Sequence, residues 1–213
     1  DLPPTLISLA GGEVPEHMEG RVLLGDARMQ PPEMLFLSSD RSDNGIDMVR
    51  SVTDGRYMYS RNYMPFMPEA RYIRYMEIGE IKQLMRTDLA NGKLNPQQES
   101  IFSPRPAEFL FNVEQDPWEL KNLAQEEDQE ERMRSFREAL EQNILDAHDV
   151  LFLSEYDLAL ISEIITPYQF RLMPDKYPLE KILASASLAG FRGKKIAARQ
   201  ANFLANTDRN IRY

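Results

Sequence analysis

The sequence predicts an α+β fold: a small antiparallel sheet of three or four strands packed against one long amphipathic helix, followed by a helical extension. Three observations carry this. The runs IDMVRSVTD and RYMYSRNY are rich in β-branched and aromatic residues and are separated by Asp54-Gly55, a strong hairpin dipeptide. Between Glu126 and about His148, the residues Met133, Phe136, Leu140, Ile144 and Leu145 form an apolar stripe at helical spacing, with charges elsewhere. From Lys176 to Tyr213 there are eight Lys or Arg against two acids, a net of +6, in a tail that reads as short helices.

The elements follow in order. Residues 1–12 read as a helix with Asp1 as N-cap, Pro3 and Pro4 in the first turn, an apolar face of Leu6, Leu9 and Ala10, and Gly11-Gly12 as a stop. A loop with Pro and Gly punctuation leads to EMLFLSS, a short apolar run bounded by polar residues and Pro31-Pro32, which reads as a buried strand over 33–38. The remaining strands are expected at 46–53, 56–62 and 109–113. Between them, EARYIRYMEIGEIKQLMRTDLANGKL has helical spacing, closed by Asn91-Gly92 and interrupted near Gly79. Asp116-Pro117 reads as a helix start with Trp118 covering a core edge. In the tail, LEKILASASLAGF and KKIAARQANFLAN read as two helices joined by a Gly-containing turn, and TDRNIRY as the opening of another.

Composition sets limits on function. A chain of 213 residues with 42% hydrophobic and 28% charged content supports one substantial domain or two small ones. A formal charge of −9 argues against a nucleic-acid footprint over the whole surface. With no cysteine, there is no disulfide framework, thiolate metal site or Cys nucleophile. No apolar run approaches the ~18–20 residues that a spanning helix needs, and no membrane partner is expected. The opening DLPPTLISLAGG reads as the middle of a longer protein.

Four stretches, in this order, resemble the C-terminal part of sulfatases, the sulfuric-ester hydrolases of the alkaline-phosphatase-like superfamily: DLPPTLISLAG with EVPEHMEGR; DMVRSVTDGRYMYSRNYMP; PAEFLFNVEQDPWELKNLA; and the acidic helix that follows. Together they span about residues 1–148. TPYQFRLMPDKYPLEKILASASLA and NTDRNIRY resemble, more weakly, a helical extension of the HEAT kind found in some bacterial members. The resemblance implies three parts: residues 1–20 as the last helix and loop of a catalytic α/β domain, 21–148 as the C-terminal α+β subdomain, and 150–213 as a helical extension. It implies an enzyme whose calcium ion and formylglycine lie in the full-length protein, with none bound by this segment. The formylglycine precursor is the Cys or Ser of a Cys/Ser-x-Pro-x-Arg motif, which is absent here; Ser103-Pro104-Arg105 has the wrong spacing. The implied partners are the catalytic domain of the same chain and a sulfated carbohydrate substrate, and the implied compartment is periplasmic or secreted. The segment alone is expected to be inactive. Two other readings stay open: a helical-repeat interaction module centred on the tail, and a phosphatase or phosphodiesterase of the same superfamily.

No catalytic residue and no metal ligand is assigned. Ser42-Asp43-Asn44-Gly45 contains hard oxygen donors that could serve calcium, but in sulfatases the similar segment precedes the DLPPTLISLAG-type helix, whereas this one follows it. A turn is the expected role. Asp40, Arg41 and Arg50 are the candidate substrate-binding residues. In the resembling enzymes this loop and strand lie near the mouth of the sulfate pocket, and the planar fork of Arg suits sulfate and carboxylate oxygens. Six Arg and four acids between 41 and 74, interleaved with Tyr, admit polyanion binding, although half-buried strands show the same alternation. The only histidines, His17 and His148, have no partner by spacing and read as structural or surface residues.

Overall fold

The dipeptide Asp54-Gly55 sits in the hairpin loop where its chemistry is needed. Gly55 takes φ +90, and Asp54 Oδ1 accepts from the amides of Arg56 (2.9 Å) and Tyr57 (2.6 Å), so a short side chain closes the turn onto its own backbone. A computed structural model describes residues 1–18 and 20–212 of the chain. It has four antiparallel strands, β1 (Leu35–Ser42), β2 (Gly45–Thr53), β3 (Tyr57–Asn62) and β4 (Glu108–Asn112), in the order β1-β2-β3-β4. The fold class is α+β.

The turn between β1 and β2 is Asp43-Asn44, as expected of Ser42–Gly45. However, the positive φ falls on Asp43 (φ 50) and not on the glycine. Gly45 is required for a different reason: a Cβ there would lie 2.6 Å from Ile73 Cγ1. Asn44 Oδ1 accepts from the Arg74 amide (2.9 Å), which caps the next helix. The stretch read as one interrupted helix forms two pieces, α2 (Arg74–Glu77) and α3 (Glu80–Ala90), with the break at Gly79 and the end at Asn91 as expected, and a separate short helix, α4 (Pro96–Ser100), follows. Asn95 and Gln98 close a capping box on the last of these.

The striped helix is α5 (Glu130–Asp146). It buries Met133, Phe136, Leu140 and Ile144 against the sheet face carrying Val52, Tyr59 and Leu110, with Phe136 stacked on Tyr59 at 6.3 Å. The tail forms α6 (Glu155–Ser162), α7 (Pro167–Phe170), α8 (Leu179–Ala186) and α9 (Lys194–Leu204). Tyr177, Ile182, Leu183, Ala186 and Ile211 join the same apolar core.

Three expectations fail. Residues 116–119 form a turn and not a helix: Asp116 Oδ2 accepts from the Lys121 amide (2.8 Å), Glu119 takes φ 53, and Trp118 is left 81% exposed and covers no core edge. The described part of TDRNIRY is also a turn, held by Asn206 and Asp208 side chains that accept from amides two residues on. The strand at 33–38 begins at Leu35 and is exposed along Leu35, Phe36 and Leu37, because β1 is a sheet edge.

The chain divides into two compact units, Asp1–Glu33 and a second from Met34 onward, so the tail beyond 150 shares a unit with the sheet. In the first unit, α1 (Leu2–Leu9) starts at Asp1, whose carboxylate accepts from the Arg21 amide (2.7 Å). Thr5 is 4% exposed; its hydroxyl donates to the Asp1 carbonyl (2.7 Å) and accepts from the Leu23 amide (2.9 Å). Leu2, Leu6 and Leu9 remain exposed on one face.

Candidate functional site

The three residues singled out for an anionic substrate lie on the β1–β2 hairpin, in different surroundings. On β2, Met48, Arg50 and Val52 alternate onto the core face, so Arg50 points inward and its side chain is only 4% exposed. Its Nε donates to Asp149 Oδ2 (2.6 Å) and its Nη1 to the Val49 carbonyl (2.9 Å). Nη1 also stands 2.8 Å from Asp40 Oδ1, but out of line for a hydrogen bond, and the guanidinium lies 5.4 Å from the Phe152 ring centre. The Asp40 contact is an ion pair. Burial works against the charged guanidinium, yet Asp149 and Asp40 together hold its pKa above the ordinary value.

The Asp40 carboxyl is pushed up by burial. Arg50 opposes this, while Asp149 and Asp47 add repulsion. One cation therefore serves two carboxylates through Nε and Nη1, while its Nη2 stays buried without a hydrogen-bond partner. Arg41, by contrast, is 47% exposed and pairs with Glu155 at 2.6 Å. An exposed pair of this kind is worth ~0–1 kcal/mol, so Arg41 can exchange its carboxylate for another oxyanion at little cost.

Beside these residues is a cavity of about 420 Å³ lined by Asp40, Met48, Met64, Phe152, Glu155 and Leu158, among others. Its walls come from the hairpin and from the segment where the tail begins. Asp149 anchors that segment twice: its side chain caps the 3-10 turn Val150–Phe152 by accepting from the Leu151 amide (3.0 Å), and its carbonyl accepts from the Tyr177 hydroxyl.

Three further buried polar clusters were not read from the sequence. Asp47 takes a two-pronged grip from Arg105 (2.5 and 3.0 Å), with Arg71 at 3.3 Å. Glu108 takes the same grip from Arg137 (2.6 and 2.8 Å) and a hydrogen bond from the Tyr59 hydroxyl (2.7 Å). Burial raises the Glu108 carboxyl, but these hydrogen bonds outweigh it and hold the pKa below its usual value. Arg61 donates to four carbonyls: Asn62 (2.5 Å), Ala107 (2.8 Å), Ser187 (3.0 Å) and Ala189 (2.8 Å). The signal for Arg50 and Arg61 was the strand period itself, since 48, 50, 52 and 57, 59, 61 share the inward face.

Among the described residues no group of three or more His, Asp or Glu is arranged to hold a metal ion. The chain has no cysteine and no Cys/Ser-x-Pro-x-Arg motif. The described residues therefore do not fit a calcium site, and the sequence offers no formylglycine precursor. His17 and His148 are both exposed.

No protein-family model matches the chain. Over 160 residues, 74% of this chain, it is 34% identical to the ulvan-active sulfatase of Formosa agariphila. The chain spans about a quarter of that curated relative, 27% of its length. Among solved structures, a 2-O GAG sulfatase aligns with 70% of this chain and 25% of its own at 19% identity and a TM-score of 0.45. The resemblance read from the four stretches holds: the chain resembles the C-terminal part of a sulfatase.

Proposed function

We propose that this chain is the C-terminal part of a sulfatase that hydrolyses sulfate esters on a glycan, a sulfated polysaccharide of the kind its relative's name indicates. The observation that carries this reading is the 34% identity over 160 residues. The nucleophile, the calcium ion and the formylglycine belong to other segments of the longer enzyme, which acts in the periplasm or outside the cell. The sheet face opposite α5, where the half-buried Phe109 stands near the exposed Trp118, offers an apolar surface for the catalytic domain of the same chain. Among the described residues no helix is long and apolar enough to cross a membrane.

In this reading the β1–β2 hairpin contributes one wall of the cleft and selectivity for the sugar. Arg41 meets the anionic group of the substrate, Asp40 accepts from its hydroxyls, and Arg50 positions Asp40 from beneath. The test uses the enzyme that carries this segment. Arg41→Ala raises KM for a sulfated oligosaccharide more than for a small aryl sulfate and leaves kcat on the aryl sulfate unchanged. Equal effects on both substrates remove the selectivity role, and failure of that enzyme to release sulfate from any sulfated glycan overturns the sulfatase reading.

A further inference from the structure

A cavity of about 560 Å³ lies between the end of α5 and the segment that enters α8, within the size range of small-molecule sites. His148, Arg171 and Lys181 line it against a single acid, Glu180, on a chain whose formal charge is −9. None of these three side chains has a carboxylate within ion-pair distance among the described residues, unlike Arg41, Arg50, Arg105 and Arg137. Arg171 and Lys181, without counter-charges on one concavity, form a local positive field beside the His148 imidazole. At ordinary ionic strength the acids more than ~10 Å away are largely screened.

Two other features point the same way. Arg171 is already oriented: its Nη1 donates to the Ala147 carbonyl (2.6 Å) and its guanidinium lies 4.2 Å from the Tyr168 ring centre. Its Nε nevertheless remains buried without a hydrogen-bond partner, a deficit that a small rotation toward an oxyanion in the cavity would relieve. The first turn of α8 also borders the cavity, through Pro178, Leu179, Glu180 and Lys181, and no side chain caps it. Its positive end thus adds to the field of the side chains. The remaining walls are apolar, from Leu145 and Leu172, with the ring of Tyr177, whose hydroxyl is already committed to the Asp149 carbonyl. Cationic groups on one side and apolar or aromatic walls on the other suit a sugar ring bearing an oxyanion better than a bare inorganic ion.

We propose that this cavity is a binding site for an anionic saccharide, held through its oxyanion by Arg171, Lys181 and His148. The choice of sulfate as the oxyanion rests on the sulfatase reading above; the site itself does not require hydrolysis. The 213-residue chain is titrated by calorimetry at low salt with a sulfated disaccharide, the same disaccharide without sulfate, and inorganic sulfate. The expected order is sulfated disaccharide tightest, inorganic sulfate weaker and the unsulfated sugar undetectable. Lys181→Ala and Arg171→Gln each weaken the sulfated sugar about tenfold, as loss of one charge-assisted contact does. Lys195→Ala, exposed on α9, changes nothing and controls for general charge. Since Arg171 also holds the Ala147 carbonyl, the deciding variant is Lys181→Ala, whose thermal midpoint stays at wild type. Equal affinity for the sulfated and unsulfated sugars, or equal effects of Lys181→Ala and Lys195→Ala, overturns the proposal. Sulfated-sugar binding without any sulfatase activity in the longer enzyme would uphold this site and sink the sulfatase reading alone.

Discussion

Replacing Arg50 by Met and Arg41 by Ala separates two roles that look alike in the sequence. Arg50 is 4% exposed and serves Asp149 at 2.6 Å and Asp40 at 2.8 Å, whereas the Arg41–Glu155 pair is 47% and 57% exposed. Removing Arg50 leaves two carboxylates facing each other without their cation, and Asp47 adds to the repulsion. Breaking a buried pair in this way costs about 3–5 kcal/mol. At roughly 2–4 °C per kcal/mol for a chain of this size, Tm falls by about 6–20 °C. Removing Arg41 costs ~0–1 kcal/mol, or at most about 4 °C. Thermal unfolding of the 213-residue protein, followed by circular dichroism at neutral pH, reads both shifts. A second variant isolates the cause: adding Asp40→Asn and Asp149→Asn to Arg50→Met removes the stranded charges and recovers part of the loss. If Arg50→Met unfolds within about 2 °C of wild type, or the triple variant is less stable than the single one, the ion pair does not hold the hairpin to the tail.

Glu108 sets a pH dependence. Its folded pKa is depressed below the ordinary 4.5, so its contribution is in place above that pH and is lost as pH falls through the lower folded value. Unfolding midpoints from pH 7 down to pH 3 should fall less steeply in Glu108→Gln than in wild type, and an unchanged slope would refute this. Gly190 takes φ +81, and a Cβ there would lie 2.7 Å from Ala107 Cβ and 2.9 Å from Pro65 Cγ, so Gly190→Ala should cost about 1–3 kcal/mol in denaturant unfolding. Gly55→Ala, with φ +90 but no atom within 4 Å of the added Cβ, should cost less, and the reverse order would show that backbone strain and not crowding sets the loss.

The sheet and α5 were legible because period-2 and period-3.6 patterns were uninterrupted there, and because Asp54-Gly55 names its own turn. The Asp-Pro-x-Glu-x-x-Asn-Leu run misled, since a helix start and a tight turn share Asp-Pro. What decides is tertiary: Asn122 Oδ1 accepts from the Leu110 amide (2.9 Å), its amide nitrogen donates to the Glu108 carbonyl (3.0 Å), and the Leu123 amide donates to the Leu110 carbonyl (2.8 Å). The run is therefore used to finish the edge of β4, a partner that no local pattern reveals. The candidate site was half legible. The alternation of Met48, Arg50 and Val52 carried the inward direction of Arg50, but its partner Asp149 lies 99 residues away and left no mark on the local sequence.

The grip of Arg61 on the carbonyls of Ser187 and Ala189 bears on where this polypeptide can be cut. The boundary expected near residue 150 invites separation of sheet from tail at that point. A chain ending there would strand a buried cation facing two vanished acceptors and uncover Tyr177, Ile182 and Leu183 from the core they share with Tyr59. Sheet and tail should accordingly melt in a single transition, resist proteolysis at the seam together, and travel as one piece when genes are shortened or recombined.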